Sequence, residues 1–146
     1  EGEIPEYIVH LRPSTPLRDP AVVAAAVEAF RKDKEATALR SVHEMSESAY
    51  KCFCIESGHL VGLASGSTNL EGANNARQSY PKTYRGNGYV DVLRGGFVLE
   101  HGKIHGDRVM AYVTDVIHEV DSETDVDYIA YQIDRDQTLV DRLFQA

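Results

Sequence analysis

Cysteine is almost missing from this sequence. Cys52 and Cys54 are the only two in 146 residues. They are too few for a disulfide framework, and C-x-C is neither a zinc knuckle nor a C-x-x-C redox pair. On a strand both would point to one face, so they read as free, reduced packing residues. Long apolar runs are missing too: nothing approaches the ~20 residues that span a bilayer, and there is no signal-peptide pattern. Positive charge is in deficit, with 15 Lys and Arg against 23 Asp and Glu and a formal net charge of -8. Such a balance argues against nonspecific binding to nucleic acid or anionic membranes, but it leaves room for a local basic pocket. There is no G-x-S-x-G and no Cys/His nucleophile arrangement. The six histidines form no ligand set. His101 and His105 are four apart, but Gly102 and Gly106 spoil a helix between them. No internal repeat and no heptad pattern occurs. The expectation is a cytoplasmic, soluble protein of one domain, large enough for a real core. The chain opens on Glu1 without an initiating methionine, which suggests a processed or truncated product.

What is present centres on Arg77 to Gly88, R-Q-S-Y-P-K-T-Y-R-G-N-G. Two arginines eight apart enclose two tyrosines and a lysine. Arginine offers a planar fork that fits carboxylate or phosphate in bidentate fashion. Pro81, Gly86 and Gly88 predict a loop here, with Asn87-Gly88 as a turn. The functional reading is an anion clamp for an acidic ligand; the bland reading is a solvated basic turn.

Taken in order, Tyr7 to Leu11 reads as a buried parallel strand ending in Arg12-Pro-Ser-Thr-Pro-Leu-Arg18, a loop at a strand's carboxyl end, where open α/β sheets bind ligands. Asp19-Pro20 starts a helix, with Val22, Val23, Ala26, Val27 and Phe30 as its apolar stripe. Thr37 to His43 is a second strand. Lys51–Glu56 and His59–Leu63 flank Ser57-Gly58 as a hairpin. Ala64 to Asn75 reads as a mobile loop. Strands are expected at Tyr89–Leu93, Val109–Val113 and Ile117–Val120, and a short helix at Phe97–His101. Asp121 is the expected cap of a last helix whose stripe is Val126, Ile129, Ala130 and Ile133.

Three stretches in this order, L-R-P-S-T-P-L-R-D-P at Leu11–Pro20, the Arg77–Gly88 segment and E-V-D-S-E-T-D at Glu119–Asp125, resemble the acylneuraminate cytidylyltransferase family. Its members make CMP-activated acidic sugars. The resemblance runs from Tyr7 to about Ile133. It lacks the family's Gly-rich start of the type A-R-x-G-S-K, so the chain corresponds to the larger, C-terminal part. It implies a three-layer αβα nucleotide-diphospho-sugar transferase (Rossmann-like) fold, one domain over residues 1–146, with the N-terminal nucleotide-binding segment missing. It also implies an inserted β-hairpin dimerisation arm at about 45–76, hence a homodimer.

On this resemblance Arg12, Lys51, Arg77, Tyr84, Arg85, Asn87 and Gly88 bind substrate, and Pro81 shapes the pocket. Arg85 and Asp121 would be catalytic, with Glu119 and Asp121 as Mg2+ ligands. Many family members carry glutamine where Arg12 stands and D-x-D where Glu119 and Asp121 stand. The implied reaction couples CTP to an acidic nonulosonate sugar and releases pyrophosphate, with transfer expected to fail in these 146 residues by themselves. CTP, the sugar, a partner copy and possibly a missing N-terminal segment or second chain are the expected partners. The alternatives are a noncatalytic sugar- or nucleotide-binding module and a dimerisation fragment. Residue by residue, Arg12 could be surface charge, Lys51 a strand-edge lysine and Asp121 only a helix cap.

Overall fold

The structure is a computed structural model that describes residues 2–136 and 138–144. Among the described residues six strands and four α-helices follow in the order β1 (Tyr7–His10), α1 (Pro20–Lys32), β2 (Ala38–Glu44), β3 (Phe53–Glu56), β4 (His59–Gly62), β5 (Tyr84–Arg94), α2 (Gly95–His101), β6 (Val109–Val113), α3 (Glu123–Arg135) and α4 (Thr138–Phe144). A four-stranded sheet has the order β1-β5-β2-β6. It is mixed: β1 runs antiparallel to β5, with His10 opposite Asp91, and β2 runs parallel to β6, with Ser41 opposite Tyr112. The chain divides into two compact units, residues 2–42 with 86–144, and residues 43–85.

In the first unit α1 supplies the core. Asp19 caps it by accepting from Ala21 N–H at 2.8 Å, and Pro20 occupies the first turn, where a missing N–H costs nothing. Ala26 and Phe30 are fully buried against Leu39, Val90 and Val92, and Phe30 stands edge-on to Tyr7 at 5.9 Å. Burying such a ring contributes about 1.5–3 kcal/mol. Asp33 ends the helix by accepting from the N–H groups of Glu35 and Ala36, both at 3.0 Å. Arg94 lies over the Phe30 ring at 4.8 Å and donates to the carbonyls of Asp33 and Ala36. Ser41 links β2 to β5: its hydroxyl accepts from Val90 N–H at 2.9 Å and donates to Asn87 O at 3.3 Å.

The second unit is built on the β3–β4 hairpin, with Phe53 opposite Gly62 and Glu56 opposite His59. Its two-residue turn has positive φ at both Ser57 (50°) and Gly58 (82°), the twist-compatible geometry for a tight hairpin. Tyr50 and Tyr80 stack at 5.4 Å, and the Tyr80 hydroxyl donates to Gly72 O.

Four local expectations are corrected. The first strand is not a buried parallel one: β1 is antiparallel, lies at a sheet edge, and leaves Ile8 and Val9 36% and 41% exposed. A four-residue apolar run does not distinguish these cases. Arg85 to Gly88 is not a loop with an Asn-Gly turn but the first part of β5, and Gly88 has no positive φ. Ile117–Val120 is not a strand. Val120 N–H donates to Ser14 O at 2.7 Å, which attaches this segment to the loop after β1. Asp121 does not cap α3. Ser122 does, with Asp125 Oδ2 reaching back to accept from Ser122 N–H (2.8 Å), Ser122 Oγ (2.8 Å) and Asp121 N–H (3.0 Å).

Candidate functional site

The loop after β1 is pinned by Arg18. Its guanidinium donates to Tyr89 O at 2.6 Å, Arg12 O at 2.8 Å and Gly88 O at 3.1 Å. A lysine lacks the planar fork for three such carbonyls. The chain itself turns tightly here, with Thr15 N–H to Arg12 O at 3.2 Å. Tyr89 adds a second tie: its phenol oxygen accepts from Asp19 N–H at 2.6 Å. Burial raises the Tyr89 phenol above its ordinary pKa, the Asp19 backbone bond opposing it, so the ring stays neutral.

Gly88 is the meeting point of this corner. A methyl group on it would collide with Glu119 Oε1, lie 2.8 Å from Arg12 Cδ and lie 3.0 Å from Thr15 Oγ1. Glycine is needed for close approach, not for backbone freedom. Arg12, Thr15 and Glu119 are thus brought together around one backbone position. Thr15 is 2% exposed, and its Oγ1 is buried without a hydrogen-bond partner. An unpaired buried hydroxyl costs free energy unless a water, an ion or a ligand completes its bonding. Asn87, also buried, is engaged within the unit: its amide donates to Thr114 Oγ1 at 3.0 Å and accepts from Tyr89 N–H at 3.3 Å.

Glu119 is half-buried at this corner, whereas Asp121 is exposed just ahead of α3. Among the described residues no group of three or more His, Cys, Asp or Glu side chains is arranged to hold a metal. Two carboxylates by themselves suit a magnesium ion that draws its other ligands from phosphate and water.

The second unit holds a cleft of about 430 Å³, lined by Glu44, Met45, Ser48, Tyr80, Pro81 and Thr83 together with Arg77, Gln78 and Lys82. Glu44 organises its charges. Its Oε1 accepts from Arg77 Nη2 at 3.0 Å and its Oε2 from Lys82 Nζ at 2.7 Å. The same Arg77 nitrogen donates to Met45 O at 2.9 Å. The Lys82 hydrogen bond above all, and the charges of Lys82 and Arg77, hold the Glu44 carboxyl below its ordinary pKa, while Lys82 is raised by the same pair. Lys51 lies elsewhere in this unit, donating to Asn75 O at 3.1 Å. Tyr84 and Arg85 are exposed at the start of β5, and neither they nor Lys51 line the cleft.

The residues expected to bind substrate or metal therefore fall into different groups. Arg12, Gly88 and Glu119 meet at the first unit's corner, and Arg77 lies in the second unit's cleft with Lys82. Thr15, Arg18 and Glu44 were not anticipated as site residues. The hydroxyls of the Pro-Ser-Thr-Pro loop were a visible signal for Thr15, whereas nothing near Glu44 in sequence marks its partners 33 and 38 residues away.

No family model and no curated protein sequence matches this chain. A solved structure of CMP:2-keto-3-deoxy-manno-octonic acid synthetase complexed with CTP is similar to it, with a TM-score of 0.59 at 10% sequence identity over 89% of this chain. The likeness is one of fold, a mixed sheet with helices. The chain spans 62% of the length of that synthetase structure. No described helix is long and apolar enough to cross a membrane.

Proposed function

We propose that this chain is part of a cytidylyltransferase that joins CTP to an acidic keto sugar of the nonulosonate, sialic-acid type. The similar fold is that of a synthetase whose product is a CMP-linked acid and which was captured with CTP. The observation that carries the reading is the cleft itself. Arg77 and Lys82 already hold one carboxylate, that of Glu44, at 3.0 and 2.7 Å. This is charge-assisted recognition of the group that a nonulosonate carries beside its anomeric carbon.

In the reaction the anomeric hydroxyl loses its proton to solvent as its oxygen forms a bond to the α-phosphorus of CTP. The bond from that phosphorus to the bridging oxygen breaks, and pyrophosphate leaves. Magnesium bound with the nucleotide would neutralise phosphate charge, with Glu119 and Asp121 as its protein ligands. Arg12 and the Thr15 hydroxyl would contact the ligand at the Gly88 corner, as would the backbone there. Arg77 and Lys82 would serve the acid, whereas Arg85 and Lys51 do not line the cleft. Asp121 is available for this role because Ser122 and Asp125 do the capping. Homodimer formation through residues 45–76 belongs to the same reading. It is supported by Ile55 and Leu63, which are 74% and 61% exposed on and beside the hairpin.

The test is titration of the chain with CTP, with N-acetylneuraminate and with the neutral sugar N-acetylmannosamine, each with and without magnesium. Binding of the acid but not the neutral sugar is expected, and any CTP binding, weak without the Gly-rich segment, should depend on magnesium. Equal affinity for acid and neutral sugar would leave the cleft an ordinary solvated surface.

A further inference from the structure

We propose that Glu44 is a specificity-determining residue that sets the cleft to accept a monoanionic carboxylate and to reject phosphate dianions. The inference rests on the acidic-sugar reading and extends it to the charge of the ligand. Arg77 and Lys82 bring two positive charges to the cleft, and Glu44 removes one. The three side chains form one chain of contacts, Arg77 to Glu44 at 3.0 Å and Glu44 to Lys82 at 2.7 Å. One net positive charge remains, the match for a single carboxylate.

Placement makes this a fixed property of the cleft. Glu44 is the last residue of β2, and the next residue is tied to the 77–83 segment by Met45 N–H donating to Thr83 O at 2.9 Å. The carboxylate is therefore carried on a strand end, while its cationic partners sit on the 77–83 segment. The pairs are also solvent-accessible, with side-chain exposures of 36% for Glu44, 49% for Arg77 and 69% for Lys82. Exposed pairs are individually weak. An incoming carboxylate can share Arg77 and Lys82 with Glu44, exchanging one charge-assisted contact for another. A phosphate dianion brings two charges against one net cation and meets Glu44 at close range. Repulsion from one unit charge about 4 Å away is worth roughly fivefold in affinity even in bulk water, and more where solvent is partly excluded. Specificity then comes from the repulsive element as much as from the attractive one.

The experiment is calorimetric titration of N-acetylneuraminate and of inorganic phosphate, at pH 7.5 and low salt so that screening does not hide the effect, into the wild type, Glu44→Gln and Glu44→Asp. Glu44→Gln should tighten phosphate by about fivefold or more relative to N-acetylneuraminate. Glu44→Asp keeps the charge and should keep the wild-type ratio. In parallel, modification of Arg77 by phenylglyoxal, followed by peptide mass spectrometry, should run several times faster in Glu44→Gln, because the guanidinium loses its carboxylate. Phosphate binding gained in Glu44→Gln without any N-acetylneuraminate binding in either protein would support the role of Glu44 and sink the acidic-sugar reading. An unchanged phosphate-to-acid ratio, or no binding of either anion to any variant, would overturn the inference, as would an unchanged rate of Arg77 modification.

Discussion

The corner at Gly88 and the cleft at Arg77 solve different problems with different physics. The corner is buried and steric. A glycine admits Glu119, Arg12 and Thr15 to within contact of one backbone position, and Arg18 fixes the surrounding loop through three carbonyls. The cleft is exposed and electrostatic, with one glutamate distributed between two cations. Buried packing tolerates little change, because interiors are close-packed and a single added methyl group is felt. Exposed ion pairs contribute little to folding yet can decide which ligand binds. Substitutions should thus cost stability at the corner but little at the cleft, and they can break or sharpen that contrast.

The largest effect is expected from Gly88→Ala. The added methyl group meets three side chains at once, so denaturant unfolding should show a loss of about 1–3 kcal/mol. A variant as stable as the wild type would mean that the corner is loosely packed. Next comes Arg18→Ala, which leaves the carbonyls of Tyr89, Arg12 and Gly88 without their shared donor. A loss of about 2 kcal/mol is expected from bonds to a charged group, and Arg18→Lys should restore only part of it. Ser122→Ala, at the α3 cap outside both regions, should cost about 1 kcal/mol and leave acid binding untouched.

What is legible in the sequence is what local patterns decide. Asp19-Pro20 and the stripe ending at Phe30 predicted α1 because cap, first-turn proline and 3.6-residue spacing agree in one short window. The hairpin at Ser57-Gly58 and the strand at Val109–Val113 were legible for the same local reason. The failures were nonlocal. Gly86, Asn87 and Gly88 look like turn residues, but they lie in β5, where Asn87 bonds to Thr114 and Gly88 makes room for Glu119. Both partners come from a segment about 30 residues further on, which no local pattern displays. The cap of α3 could have been read: Ser122-Glu-Thr-Asp125 is the S-x-x-D form of a capping box, and Asp121 stood one residue too early. Arg77 was singled out from its own segment, but its neutralising partner Glu44 was not, since pairing across 33 residues depends on how β2 ends.

The smallest effect is expected on the acid side of the stability profile. The Glu44 carboxyl is held below its ordinary value, first by Lys82. Its pairing therefore stabilises the folded chain above the unfolded carboxyl range, near pH 4.3, and that contribution disappears as pH falls through the lower folded value. Melting temperatures between pH 2.5 and 6 should fall slightly less steeply for Glu44→Gln than for the wild type. Because the group is exposed, the difference should be small beside that of Gly88→Ala at any pH.

The most direct measurement compares N-acetylneuraminate with its methyl ester by calorimetry, on the wild type and on Arg77→Ala. The ester keeps the sugar and removes only the negative charge. The account predicts that the wild type binds the free acid about tenfold or more tightly than the ester, in keeping with a charge-assisted contact. It also predicts that Arg77→Ala abolishes this preference while melting within error of the wild type. Equal affinity for acid and ester in the wild type, or a preference that survives loss of Arg77, would contradict it.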